Sequence, residues 1–271
     1  MMPMCLSAVD AVGARSIGQA DMNPAGSGPC MMAFGPAANG PSLRIGVVIP
    51  CRGDGPLLKT CLESLGQFAA AGDQIVVVDG DADPQTAALA KAHGASYLCS
   101  ADARRGYVIA RGVRHLLQFD TVDILLICHA DSTLNAVTRD KLAARVGVRA
   151  RDCWGFLGHR INDRRFQFRL VEWGNRLRGD LLDLPYGDQA MFVGVHLLKR
   201  TGGWPVQPQM EDLELALRLR RVKSATPVDS PVTISSRHWA AGISRATLRN
   251  WALAIDYISH WHHCGPVGDR L

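Results

Sequence analysis

Between residues 43 and 128, short β-branched runs alternate four times with stretches of helical periodicity, and no other feature of the chain limits its fold as strongly. Ile45 to Ile49 (IGVVI) is continuously apolar, as a strand buried on both faces of a parallel sheet must be, and Pro50 stops it. Across Leu57 to Ala70, residues Leu57, Leu58, Cys61, Leu62, Leu65, Phe68 and Ala69 share one 3.6-period face and predict a helix. Ile75 to Val78 reads as the second strand, and Pro84 suits the first turn of a helix running to His93. Ala95 to Leu98 is the third strand, Arg105 to Phe119 a helix, and Val122 to Cys128 the fourth strand. Four βα units in succession imply a doubly wound, mostly parallel sheet flanked by helices, a Rossmann-like α/β architecture.

Beyond residue 150 the alternation loosens. We expect a strand over 153–159, a basic amphipathic helix over 166–182 and a strand over 188–193. Met210 to Arg221 reads as a strong helix, with Glu211, Asp212 and Glu214 in its first turns and Arg218, Arg220 and Arg221 in its last, matching the helix dipole at both ends. A final amphipathic helix spans about 244–262, where His260, His262 and His263 read as a surface cluster. With no repeat or linker after residue 43, residues 43–271 form one domain. Residues 1–42 are rich in Gly, Ala, Met, Pro, Ser and Asn and carry three charged residues, so we expect a disordered or weakly structured extension, or sequence upstream of a start at Met31 or Met32. That segment lacks the basic region and continuous apolar core of a secretory signal.

Composition narrows the class. A 47% hydrophobic content supports a sizeable core, while no apolar run approaches the roughly 18–20 residues needed to span a bilayer. The eight cysteines include no C-x-x-C pair and read as small buried hydrophobes of a reducing, cytoplasmic compartment. Net charge is +5, and residues 139–178 alone hold 11 Lys and Arg against 4 Asp and Glu. A solvated basic face is the first reading of this stretch. Peripheral contact with the inner face of the cell membrane comes second, through this helix or the one carrying Trp251, Ile255, Ile258 and Trp261, and no nucleic-acid partner is expected.

In open parallel sheets, ligands bind at the carboxyl ends of the strands, near the point where strand order reverses. Three strand ends carry polar groups here: Pro50-Cys51-Arg52-Gly53-Asp54, Asp79-Gly80-Asp81 and His129-Ala130-Asp131-Ser132. Neither G-x-G-x-x-G nor G-x-x-x-x-G-K-[ST] occurs, so phosphates need another anchor. A hard divalent cation on Asp131, assisted by arginines, is the physically reasonable one.

The ordered series IGVVIP, IVVVDG, ILLICHADS, YGDQAMFV, GGWP with MEDLELALRLRR, and SSRHW resembles family 2 glycosyltransferases of the GT-A fold over residues 43–262. Within that family it is most similar to the bacterial subgroup labelled as arsenosugar-biosynthesis-type glycosyltransferases. The resemblance implies a nucleotide-sugar donor, typically UDP-linked, an unidentified acceptor hydroxyl, and a Mn²⁺ or Mg²⁺ ion. It further implies that Asp79 binds the base, that Asp131 ligates the metal with His129 packing beside it or contacting the ribose, and that Pro50 and Asp54 border the nucleotide. Arg105 is implied as a diphosphate contact, and Asp188 and Gln189 as shaping the donor-sugar pocket. Arg237 would lie near the phosphates and Trp239 against a sugar. Glu211 and Asp212 fall where the family deprotonates the acceptor, and Asp212 is the candidate base of a single, inverting displacement.

The sequence also departs from the family pattern. Cys51-Arg52-Gly53-Asp54 stands where an Asn-Glu pair is usual, Gly80-Asp81-Ala82 replaces a Gly-Gly-Ser turn, and Val108-Ile109-Ala110 replaces Gln-Met-Asn. The competing class is a catalytically degenerate module that keeps the fold and binds an anionic surface through Arg164, Arg165, Arg169, Arg176 and Arg178.

Overall fold

The computed structural model describes residues 43–264 except 71, 119, 240 and 241. The extension over 1–42, Phe119 and the side chains of His262 and His263 lie outside the described residues. Four parallel strands, β1 (Ile45–Cys51), β2 (Gln74–Asp79), β3 (Ser96–Cys99) and β4 (Ile124–Ile127), alternate with helices α1 (Gly55–Phe68), α2 (Pro84–Ala92) and α3 (Arg105–Leu117). The chain continues through β5 (Ser132–Thr133), α4 (Thr138–Val146), β6 (Trp154–Phe156), β7 (His159–Ile161), α5 (Phe166–Leu182), β8 (Met191–Gly194), α6 (Val195–Arg200), α7 (Glu211–Val222), β9 (Val232–Ile234) and α8 (Ile243–Cys264).

The main sheet has the order β3-β2-β1-β4-β8-β6, with β8 antiparallel to both β4 and β6. The order reverses between β1 and β4, so a crevice opens at their carboxyl ends. Both sheet faces are covered. Ile45, Val47 and Ile49 of β1 join the core under α1, while Val48 joins the other core with α3, α7 and α8. Helix α3 lies directly on the sheet, since a Cβ at Gly112 would stand 2.6 Å from Val48 Cγ1 and 2.9 Å from Val78 Cγ2.

Two sequence expectations need correction. The strand over 153–159 is two strands in different sheets, because Gly158 turns the chain at φ +77° and sends β7 into a three-stranded sheet of order β5-β9-β7. The strand over 188–193 begins only at Met191. Residues Gly187–Gln189 form a 3₁₀ turn, in which the Gln189 side chain accepts the Tyr186 backbone N–H at 2.9 Å and the Gln189 N–H returns to the Tyr186 carbonyl at 3.0 Å. Of the described cysteines, Cys51, Cys61, Cys128 and Cys153 are buried thiols and Cys99 is exposed. Among the described residues, no helix is long and apolar enough to cross a membrane.

Candidate active site

Strand β5 leaves Asp131 immediately and pairs with β9 through Ser132 and Ile234. That register brings the turn after β9 back over the end of β4, where Arg237 meets two loops. Its Nη1 lies 2.6 Å from Asp54 Oδ1, and its Nε donates to Asp131 Oδ2 at 3.2 Å. Partial burial weakens the proton affinity of the guanidinium, but the Asp54 and Asp131 carboxylates outweigh it and raise the Arg237 pKa. Arg237 therefore clamps the ends of β1 and β4 together.

A second ionic group forms at the start of α7. Arg105 Nε donates to Glu211 Oε1 at 2.5 Å and Arg105 Nη2 to Asp212 Oδ2 at 3.0 Å. Asp212 also accepts the N–H groups of Gly187 at 2.7 Å and Leu213 at 2.8 Å. The close approach depends on Gly106, where a Cβ would meet the Gln207 carbonyl oxygen at 2.0 Å. Glu211 is fully buried and its Oε2 has no hydrogen-bond partner. Burial pushes its carboxyl pKa up, Arg105 opposes that, and the Asp212 charge adds to it.

Gly187 is where the pieces meet. A Cβ there would lie 3.0 Å from Asp212 Oδ2, 3.3 Å from Arg105 Nη2 and 3.4 Å from His129 Nε2. The His129 Nε2 atom is buried without a hydrogen-bond partner. Burial, reinforced by the Arg105 charge, lowers the His129 pKa and keeps the ring neutral. The next residue, Asp188, forms an ion pair with buried His159 at 3.4 Å.

These groups surround one cavity of about 640 Å³, within the range of small-molecule sites. Of the sequence-expected residues, Pro50, Asp54, Arg105, Asp131, Asp188, Glu211, Asp212, Arg237 and Trp239 line it. Asp79 and Gln189 do not. Asp79 is fully buried and its oxygens are taken by the N–H groups of Asp81 (2.9 Å) and Asp83 (2.8 Å) and by the Tyr97 hydroxyl (3.1 Å). Burial and the Asp79 charge push the Tyr97 phenol up to about 12, so Tyr97 remains a donor. Gln189 serves its own turn, and Arg105 is engaged with the acid pair. Trp239 borders the cavity but packs edge-to-face on Phe168, with ring centroids 5.7 Å apart.

Asn175, Tyr186, Gly187 and Gln209 also line the cavity without having been singled out from the sequence, as does Trp251, which the sequence offered only for membrane contact. Tyr186 and Gly187 stand in the YGDQ segment and could have been found there. Asn175 and Trp251 lie on helices whose cavity-facing side is set by packing alone. The basic helix also differs from expectation. Arg178 points inward, 3.2 Å over the Tyr186 ring, and Arg169 donates to the carbonyls of Ile161 and Asp163.

Among the described residues, no group of three His, Cys, Asp or Glu side chains is placed to hold a metal ion. A cation that arrives on a diphosphate needs only one or two protein carboxylates, because phosphate and water oxygens fill the remaining positions. Asp131, at the cavity wall with an arginine as its present counter-ion, fits that role.

No family model and no curated protein sequence matches the chain. Solved structures do. The chain is similar to residues 1–349 of S. aureus TarS, with a TM-score of 0.56 and 16% identity over 72% of this chain and 61% of that one. The same protein in complex with UDP-GlcNAc matches at 0.56 and 15%, over 72% and 59%. The mannosyltransferase PcManGT from Pyrobaculum calidifontis, in complex with GDP-Man and Mn²⁺, matches at 0.52 and 21%, over 73% and 59%. This chain thus spans only about 60% of the length of these structures. The fold is that of the GT-A glycosyltransferases.

Proposed function

We propose that the chain is a metal-assisted, inverting glycosyltransferase that moves a sugar from a nucleotide-sugar donor to an acceptor hydroxyl. The observation that carries the reading is the convergence of Asp131 with Arg237, and of Asp212 with Arg105 and Glu211, on one cavity at the switch point of a GT-A sheet. The motif order resembling the arsenosugar-type subgroup supports a UDP-linked donor. The nucleotide-sugar complexes of TarS and PcManGT support the donor class, and the Mn²⁺ in PcManGT supports a divalent ion.

Asp212 takes the acceptor hydroxyl proton as the acceptor oxygen forms its bond to the anomeric carbon and the bond to the diphosphate breaks, so configuration inverts. Arg105 and the Gly187 N–H fix the carboxylate in position. Neutral His129 lets the end of β4 pack against this pair without adding charge. Asp131 and Arg237 face the leaving diphosphate, with Arg237 passing from the two carboxylates to the phosphates. A divalent cation on Asp131 would supply Lewis-acid stabilisation of that leaving group.

The test is a nucleotide-sugar screen by hydrolysis and thermal shift, with and without Mn²⁺. Asp131→Ala is expected to abolish metal-dependent stabilisation by the donor, and Asp212→Asn to retain donor binding while transfer falls by about 10²–10⁴. Absence of stabilisation by any nucleotide sugar under any metal condition would overturn the reading.

A further inference from the structure

Helix α5 presents its more apolar side to solvent. Phe166, Leu170, Trp173, Leu177 and Leu181 recur at spacings of four, three, four and four, so they form one stripe along the helix, and they are 70%, 54%, 65%, 41% and 71% exposed. The inward side carries polar Asn175 and Arg178 beside Phe168 and Val171. A solvated surface helix would show the opposite polarity. Neighbouring α8, against which α5 packs, continues the pattern with Leu248, Trp251 and Ile255 exposed at 66%, 51% and 63%. Exposed apolar surface of this extent marks a docking site.

Charge selects the occupant. Of the six arginines between Arg160 and Arg178, Arg178 points inward and Arg169 is held by backbone carbonyls and Glu172, which leaves Arg160, Arg164, Arg165 and Arg176 at the surface. Arg165 and Arg176 flank the stripe along one edge, 58% and 62% exposed and paired at the surface with Asp163 and with Asp180 and Asp229, pairs weak enough in water to exchange for phosphates, while Arg164 precedes the helix and makes no ion pair among the described residues. A second copy laid on this face would set like charge against like charge. An anionic bilayer satisfies both parts, taking the arginines at its headgroups and the indole and aliphatic side chains at the acyl boundary. We propose that the α5–α8 face docks peripherally on an anionic phospholipid membrane. Trp251 of α8 also lines the active-site cavity, whereas α5 meets that cavity through its inward side, at Val171 and Asn175. This inference stands apart from the transferase reading, because binding to lipid needs no turnover.

The experiment is flotation of the full-length protein with vesicles of phosphatidylcholine alone or mixed with phosphatidylglycerol. The wild type is expected to float with the mixed vesicles, to remain below with neutral ones, and to be released by high salt. Arg164→Gln/Arg165→Gln/Arg176→Gln should lower partitioning about a hundredfold, from about fivefold per arginine. Trp173→Glu/Leu177→Glu should abolish flotation, with an unchanged Tm because both side chains are exposed. The proposal is overturned if the wild type ignores anionic vesicles or if either variant floats like the wild type. Sedimentation revealing a dimer that Trp173→Glu/Leu177→Glu dissociates would overturn it equally, by giving the face to a second copy.

Discussion

Replacing Arg105 with leucine removes the only cation within hydrogen-bonding reach of Glu211 and Asp212 among the described residues, while their side chains are 1% and 8% exposed. Removing one partner of a buried ion pair costs about 3–5 kcal/mol, because a charge is left in low dielectric. The Arg105 side chain is 40% exposed, so water screens part of that, and about 2 kcal/mol remains. For a domain of this size the loss corresponds to a fall in Tm of roughly 4–8 °C. The pH dependence carries the sign. Glu211 already has a raised pKa, and without the arginine it rises further, so one proton is retained by the pair in the folded state. A carboxyl whose folded pKa lies above its unfolded value is stabilising below the unfolded value, near 4.3, and loses that contribution as pH rises through the folded one. The gap between wild type and Arg105→Leu should therefore widen between about pH 5 and pH 8. Adding Glu211→Gln to the variant removes the unpaired charge at constant volume and should recover most of the loss, a coupling of about 1–2 kcal/mol. Thermal denaturation followed by circular dichroism at the two pH values reads both effects. Strict additivity of Arg105→Leu and Glu211→Gln, or a pH-independent loss, would refute the account of the acid pair.

Gly187→Ala puts a methyl group 3.0 Å from Asp212 Oδ2, forcing a shift of a few tenths of an ångström. Transfer should fall about tenfold with little change in donor binding, by comparison with the 10²-fold loss expected for a 1 Å misplacement, and unchanged kcat would remove Gly187 from the site. In the pair formed by His159 and Asp188, burial lowers the histidine pKa but the carboxylate outweighs it, so the folded value is raised. For Asp188, burial raises the pKa and His159 outweighs that, so the folded value is depressed. The histidine contribution is complete below about 6.5 and lost as pH rises through the folded value, while the carboxylate contribution is present above about 3.9. His159→Gln should flatten the decline in Tm above about pH 6.5, and an unchanged slope would assign it elsewhere.

The first four strands were legible because their environment is uniform. A parallel strand covered on both faces leaves no polar position, so IGVVI and IVVV announce themselves without reference to anything distant. The second half is built from three- and four-residue strands whose identity depends on partners. Cys153 to His159 reads as one strand, yet the turn at Gly158 divides it between Trp154–Phe156 and His159–Ile161, which join different sheets. Local pattern cannot assign a strand to a sheet. Helix α5 fails more instructively, since its periodicity was visible but not which face looks outward.

The same division runs through the site. Acids at strand ends follow from chain direction, and Asp54 and Asp131 reach the cavity for that reason. Asp79 occupies an equivalent position at the end of β2 yet turns away, because two backbone N–H groups within four residues and the Tyr97 hydroxyl already satisfy it. Such local capture competes with any ligand role, and a carboxylate with its donors already supplied gains little from a further one. Arg105 is the reverse case: its partners lie 106 and 107 residues away, and only the packing of Gly106 on Gln207 brings them within reach. A residue type at a strand end or helix start therefore states what chemistry is available there. Whether that chemistry faces the ligand or holds the loop depends on which donors reach it first, and at Asp79 and Arg105 those donors and acceptors belong to the protein itself.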